Sequence, residues 1–289
     1  MQSILDKITE WLQGLLIEGI ISNLSGMFDH VNTQVGEITG QVGQTPLQWN
    51  SGVFSMIQTL SETVIIPIAG MILAFVMCCE LIQMVIDKNN LHDLDTWLFF
   101  KWIFKTFVAV LLVTNTFNIV MGVFDMAQSV VNSSAGVIIS DASIDITDTI
   151  ADLETRLLDM ELGALFGLWF QSMFVGLTMK ALSICIFVVI YGRMIEIYLM
   201  TTIGPIPIAT MVNREWGGMG QNYLKSLLAL GFQAFLIMVC VAIYSVLVQN
   251  IATDADIIMA VWTCVGYTVL LCFTLFKTGS LAKSIFGSH

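Results

Sequence analysis

Residues 185–223 read CIFVVIYGRMIEIYLMTTIGPIPIATMVNREWGGMGQNY. An apolar run long enough to enter a membrane carries Arg193 and Glu196, then breaks at Gly204-Pro205-Ile206-Pro207. A polar, glycine-rich patch comes next, ahead of another long apolar run. A charge inside a lipid-facing helix costs about 2.5–3.5 kcal/mol on insertion scales, so such charges are expected to have partners. Arg193 and Glu196 stand three residues apart on one helical face, a spacing that predicts partial mutual neutralisation. Proline lacks a backbone donor, so Pro205 and Pro207 predict the end of this helix. The stretch reads as membrane machinery and names no substrate.

The rest of the chain agrees. Hydrophobic residues make up 56% of the 289 and charged residues 11%, against about 25% charged in soluble domains. Too few polar groups remain to cover a globular surface, so lipid is part of the solvent. The net charge of −11 argues against a nucleic-acid-binding surface, which needs a basic footprint. Cys78, Cys79, Cys185, Cys240, Cys264 and Cys272 all lie in apolar runs without C-x-x-C spacing. They read as small buried hydrophobes, not as a disulfide or zinc framework. His30, His92 and His289 stand too far apart in sequence to suggest a metal site. No cofactor is expected; bound phospholipid is compatible with the composition. The start of the chain does not have the form of a cleavable signal.

Outward from the central stretch, Gly163 to Ile203 is apolar for about 60 Å of helix, twice a bilayer core. It is either one long crossing or two spans turning near Thr178 to Ala181, and it contains Lys180. Gly163 and Gly167 form a GxxxG pair suited to close helix packing. The first span is Thr63 to Ile86, with Pro67 in its first turn and Glu80 late in it. The second is Leu98 to Phe124, entered through Trp97, Lys101, Trp102 and Lys105 as an interfacial anchor. Leu224 to Gln249 and Ile257 to Phe276 complete the set. Five spans result, and the fold class is all-α.

Two segments read as helices outside the bilayer. Ile4 to Leu24 places Ile8, Trp11, Leu12 and Leu15 largely on one face and Lys7, Glu10 and Gln13 mostly on the other. It lies either on the membrane, against partner subunits, or on this chain's own loops. A polar stretch, Ser25 to Ser61, comes after it with Pro46 as a break. Within it Val31, Val35, Ile38 and Val42 form a short stripe suited to a subunit contact. Asp125 to Leu162 is acidic (Asp141, Asp145, Asp148, Asp152, Glu154, Asp159 and Glu161 against Arg156). Its positions 146, 150, 153, 157 and 160 are apolar at helical spacing, and no EF-hand spacing suggests calcium.

Seven of the 11 basic residues (Lys88, Lys101, Lys105, Arg214, Lys225, Lys277 and Lys283) fall on one side if the long segment crosses once. The opposite side holds Lys7 and Arg156. The positive-inside rule then predicts the N-terminus outside and the C-terminus in the cytoplasm. The expected organisation starts with an extracellular segment 1–62, spans one and two over 63–124, and an acidic extracellular segment 125–162. Span three then covers 163–203, a cytoplasmic loop 204–225, and spans four and five with the C-terminus 226–289.

Tyr191-Gly-Arg-Met-Ile-Glu-Ile-Tyr198, Gly204-Pro-Ile-Pro-Ile-Ala-Thr210 and Gly220-Gln-Asn-Tyr-Leu-Lys225 resemble the TrbL-like polytopic subunit of conjugative type IV secretion systems. The closest resemblance is to the branch on integrative conjugative elements of Gram-positive bacteria. It implies a non-enzymatic platform subunit of the cytoplasmic membrane. Such subunits assemble as a ring, commonly a pentamer, which scaffolds and partly lines the path of DNA and relaxase. A VirB-type ATPase and a coupling protein are the implied partners, with Asn213, Arg214, Glu215 and Trp216 projecting as a docking edge after Gly204, Pro205 and Pro207. Arg193 and Glu196 would then pin the third span within the bundle or at a subunit contact. Two other readings stay open. A small-solute or ion transporter also uses broken helices, though five spans suit an inverted repeat poorly. A holin-like pore or a lipid-bound structural subunit is also compatible with the sequence.

Overall fold

A computed structural model describes residues 2–87, 96–138, 147–251 and 257–288. The expected loop beyond Asp87, the acids Asp141 and Asp145, residues 252–256, His92 and His289 lie outside the described residues. Every element is helical, and no strand occurs among the described residues. Among the described residues, five helices are long and apolar enough to cross a membrane: Ser51–Ile86, Thr96–Thr114, Leu162–Ile203, Gly217–Gln249 and Trp262–Phe286. The chain divides into two compact units.

The first unit comprises Met1–Val42, Asn132–Ile190 and Leu236–Lys277. Its α1 runs unbroken from Gln2 to Val42, where the sequence suggested a helix to Leu24 and then a polar stretch. Leu16, Ile20, Leu24, Met27, Val31, Val35, Ile38 and Val42 are buried along it, a single stripe at steps of three and four. The Val31 to Val42 positions are therefore covered by the chain itself. Propensity failed here because Gly26, Gly36 and Gly40 weaken the pattern, while tertiary packing of the stripe sustains the helix.

The other elements of this unit are α7, Thr147–Leu158, and the part of α8 (Leu162–Ile203) up to Ile190. The helical stretches at 132–138, 236–251 and 257–277 complete it. The α7 helix packs on α1 through buried Leu153 and Leu157 and leaves Glu154 and Arg156 exposed, the amphipathic division expected. Helices α1 and α8 run parallel. Gln13 Nε2 donates to the Met160 carbonyl at 3.0 Å, and Asn23 Nδ2 donates to Ser172 Oγ at 3.0 Å. Gln34 Nε2 donates to Ser183 Oγ. Gly19 admits the Trp169 indole, which a Cβ would meet at 2.7 Å. Helix α8 continues without a turn at Thr178 to Ala181, so the single long helix is the form adopted. Tyr244 Oη and Thr268 Oγ1 lie 2.7 Å apart, and Cys272 Sγ points at the Leu182 carbonyl.

The second unit comprises Gly43–Val131, Tyr191–Phe235 and Thr278–His289. Pro46 begins α2 (Pro46–Trp49), behind a capping box of Thr45 and Gln48, the position where its missing donor does least harm. Asn50 caps α3, Ser51–Leu60. A π turn, Ser61–Ile65, then leads into α4, Ile66–Asp87. Pro67 is the second residue of α4, in its first turn as expected, although the π turn joins α4 to α3 in one helical run. The π turn ends two residues before it and absorbs the lost hydrogen bond.

The expected second span is also divided. Helix α5 is Thr96–Thr114 and α6 is Thr116–Ile138, with Asn115 between them. Asn115 Nδ2 donates to the Leu111 carbonyl at 2.9 Å while its own backbone N–H reaches the same oxygen at 3.1 Å. A short amide side chain competing for a helical carbonyl is a common cause of such a break. The remaining elements are α9, Pro205–Thr210; α10, Gly217–Ile251; and α11, Ile257–Phe286. Gly287, at φ 60°, closes α11: the Ser288 N–H bonds the Lys283 carbonyl at 3.0 Å, a six-to-one closure that favours glycine at the left-handed position. The core of this unit joins Ala69, Leu73 and Met77 of α4, Ala109 and Val113 of α5, Ile208 and Ala209 of α9, and Tyr223, Leu227 and Leu230 of α10.

Candidate functional site

The conspicuous feature of the second unit is how α8 ends. The Thr201 carbonyl accepts the last turn's bond from the Gly204 N–H at 3.4 Å. Pro205 and Pro207 cannot donate to the preceding turn, so the chain leaves α8 and restarts as α9. Gly204 is tight: a Cβ there would collide with the Tyr223 hydroxyl and meet Thr116 Cγ2 at 3.0 Å. Tyr223 is held in turn by donating to the Met200 carbonyl at 3.0 Å. Pro205, Ile208, Ala209 and Thr210 are buried, and α9 packs on α4 and α5. The expected open turn is therefore a short helix sunk into the core.

Asn213 anchors the turn between α9 and α10. Its Oδ1 accepts from the backbone N–H of Glu215 at 2.8 Å and of Trp216 at 3.2 Å, the local closure an asparagine turn provides. Its Nδ2 donates to Glu80 Oε2 at 3.2 Å. Glu80 Oε1 is paired with Lys105 Nζ, so one carboxylate ties α4, α5 and the turn together. Glu80 is 6% exposed, where an unpaired charge would be strongly unfavourable. Nearby, Trp102 Nε1 donates to the Met77 carbonyl at 3.0 Å, and Trp216 stacks on Phe75 with ring centroids 5.7 Å apart.

The sequence grouped Asn213 with Arg214, Glu215 and Trp216 as a projecting edge. Asn213 is buried instead and forms the root of that edge; only the other three are exposed. An amide able to close its own turn and reach a buried carboxylate is better satisfied inside than in water.

Arg193 and Glu196 form no direct salt bridge, though the Glu196 carboxylate still acts on the Arg193 charge at longer range. Arg193 is buried and its Nε donates to the Leu230 carbonyl at 3.4 Å. Glu196 Oε1 accepts from Lys283 Nζ of α11 at 3.0 Å, both side chains being nearly half exposed. A three-residue spacing allows contact along a helix but does not compel it, and here the two side chains take partners on different neighbouring helices. Lys180 is exposed and lies in the first unit. Gly163 and Gly167 have open space where a Cβ would stand, so neither packs closely inside the chain.

Sequence reasoning missed three contributors. Lys105 read as an interfacial anchor and not as the partner of Glu80. The available signal was a carboxylate late in one span and an amine early in the next, positions that an antiparallel hairpin brings level. Tyr223 and Gly220 were quoted for their resemblance alone. A Cβ at Gly220 would collide with Met211 Cγ and meet the Pro207 carbonyl at 2.5 Å, so this glycine lets α10 approach the α9 backbone.

A helical chain with five span-capable helices among its described residues, the third ending in a buried Gly-Pro-x-Pro turn, is a multi-pass membrane protein. The family model described as "TrbL/VirB6 plasmid conjugal transfer like protein" matches residues 31–205, more than half of the chain, and the chain belongs to this family. The match includes Glu80, Lys105, Arg193 and Glu196 and stops at Pro205, before Asn213 and Gly220. Comparison with curated proteins and with solved structures gives no match.

The packing around α9 yields a paired prediction. Gly220→Ala should force the α9 and α10 backbones apart and destabilise the purified protein by about 1–3 kcal/mol, lowering its thermal midpoint in detergent. Gly218→Ala, with open space at its Cβ, should match the wild type or exceed it slightly.

Proposed function

We propose that this chain is a platform subunit of a conjugative type IV secretion system. It assembles in several copies in the cytoplasmic membrane and both scaffolds and partly lines the path of transferred DNA and relaxase. The observation that carries the proposal is the match to a conjugal-transfer family over 31–205, in a chain with five helices able to span a membrane. The role is structural and not enzymatic, as family membership suggests.

Finer roles rest on the site. Glu80, Lys105 and Asn213 fix the turn, and Arg214, Glu215 and Trp216 form the rim that receives a VirB-type ATPase or coupling protein. The exposed Glu196–Lys283 pair lies where α8 and the end of α11 meet, a contact suited to neighbouring copies. Buried Arg193 pins α8 to α10. Exposed Glu154 of α7 faces away from the path of DNA, since a carboxylate lining it would repel phosphate. Orientation rests on the basic residues: the segment from Asn213 to Lys225 and the C-terminus in the cytoplasm, α7 outside. Gram-positive bacteria are the proposed hosts, on the resemblance of the Arg-x-x-Glu and Gly-Pro-x-Pro sequences.

Native mass spectrometry of the complex in mild detergent should give a closed ring of about five copies, the number that the family resemblance implies. A strict monomer would contradict the platform role and favour a transporter. In a background without the native cysteines, Asp148→Cys should react with an impermeant thiol reagent on whole cells and Glu215→Cys should not. The reverse pattern would overturn the orientation.

A further inference from the structure

Within the first unit, a cavity of about 370 Å³ opens between α1 and α8, lined by Ser22, Asn23, Gly26, Met27 and His30 on one helix and by Met173, Gly176, Leu177, Met179 and Lys180 on the other. Its cause lies in the sequence. Gly26 and Gly176 both line it, and neither has any atom within 4 Å of where a Cβ would stand. Their numbers differ by the same interval, to within one, as the bonded pairs Asn23–Ser172 and Gln34–Ser183. The two glycines are therefore level on parallel helices and leave an open slot where side chains would otherwise interdigitate.

The slot is amphiphilic, and its polar end is cationic. Lys180 forms no ion pair with a carboxylate among the described residues. It lies near the middle of a 42-residue apolar helix. Flanking Leu177 and Ile184 are 67% and 65% exposed, so the rim at which the ammonium sits is apolar. His30 is held beside it, its Nε2 3.0 Å from Ser183 Oγ. An ammonium with three donors and no acceptor in such a setting needs an anion. Methionines 27, 173 and 179 supply adaptable apolar walls. The volume is toward the lower end of the roughly 300–1,000 Å³ of small-molecule sites, enough for a headgroup and the start of an acyl chain.

We infer that the slot between α1 and α8 binds one anionic phospholipid. Its phosphate meets Lys180 at the end of the slot beside His30, and an acyl chain lies along Leu177 and Met173 toward Asn23. The inference requires only that α8 meets a bilayer, so it stands or falls separately from the conjugation role. Free phosphate offers the same charge but nothing to the apolar wall, and the site is therefore assigned to lipid.

The test is native mass spectrometry of the full chain in mild detergent, with phosphatidylglycerol or phosphatidylcholine of identical acyl chains, and with inorganic phosphate. The wild type should retain one more phosphatidylglycerol per chain than phosphatidylcholine, and millimolar phosphate should not displace it. Lys180→Gln should lose that lipid, Lys180→Arg should keep it, and Lys7→Gln should be unchanged. Gly176→Leu, which fills the slot without altering charge, should lose it too. Equal retention of the two lipids, an undiminished preference in Lys180→Gln or Gly176→Leu, or displacement by phosphate would overturn the assignment.

Discussion

A carboxylate within an apolar helix is tolerated only if its charge is met, and in the second unit Glu80 is met twice. Lys105 supplies the counter-charge from α5 and Asn213 supplies a neutral donor from the turn after α9. The second bond has the wider consequence, because Asn213 also closes the turn by accepting from Glu215 and Trp216. One side chain thus joins the buried charge to the local backbone. Around it the packing is unforgiving: Gly204 lies against Tyr223, and Gly220 lies against Met211 and the Pro207 carbonyl. Prolines end α8, glycines let the restarted chain sink between helices, and the amide–carboxylate bond fixes its depth.

The first unit is held by a different device. Helices α1 and α8 run parallel along an unbroken apolar stripe, with amide-to-hydroxyl bonds at nearly constant register. Such bonds fix alignment more than they add stability, since a neutral hydrogen bond contributes only about 0.5–1.5 kcal/mol net. A slip of one residue along the helices would leave Asn23 and Gln34 without Ser172 and Ser183. Apolar burial holds the pair together, and the polar residues choose how it is aligned.

Much of this was legible in the chain. Twenty-residue apolar runs, the Gly-Pro-x-Pro break and the i, i+3, i+4 stripe in α7 are local patterns, and each appears where local physics puts it. Features that depend on a partner distant in sequence were not. The stripe of α1 looked like two unrelated segments because the residues covering it lie far along the chain. Asn213 looked exposed because nothing near it in sequence announces Glu80. Arg193 and Glu196 act on each other electrostatically, as their spacing implied, but their direct partners Leu230 and Lys283 arrive from other helices. Asn115 is a middle case: an asparagine inside an apolar run is visible, but whether it bends the helix depends on whether its amide takes a carbonyl of the preceding turn.

The claim that Glu80 sets the position of the turn is tested most directly by hydrogen exchange at the Glu215 and Trp216 amides, in the wild type and in Glu80→Leu. Hydrogen bonds to charged groups contribute about 1.5–3 kcal/mol, so removing the carboxylate should speed exchange there by about 10- to 100-fold while the α1 amides are unaffected. Unchanged exchange at these two amides in a folded Glu80→Leu protein would contradict the account, leaving the turn held by its proline, glycine and aromatic contacts alone.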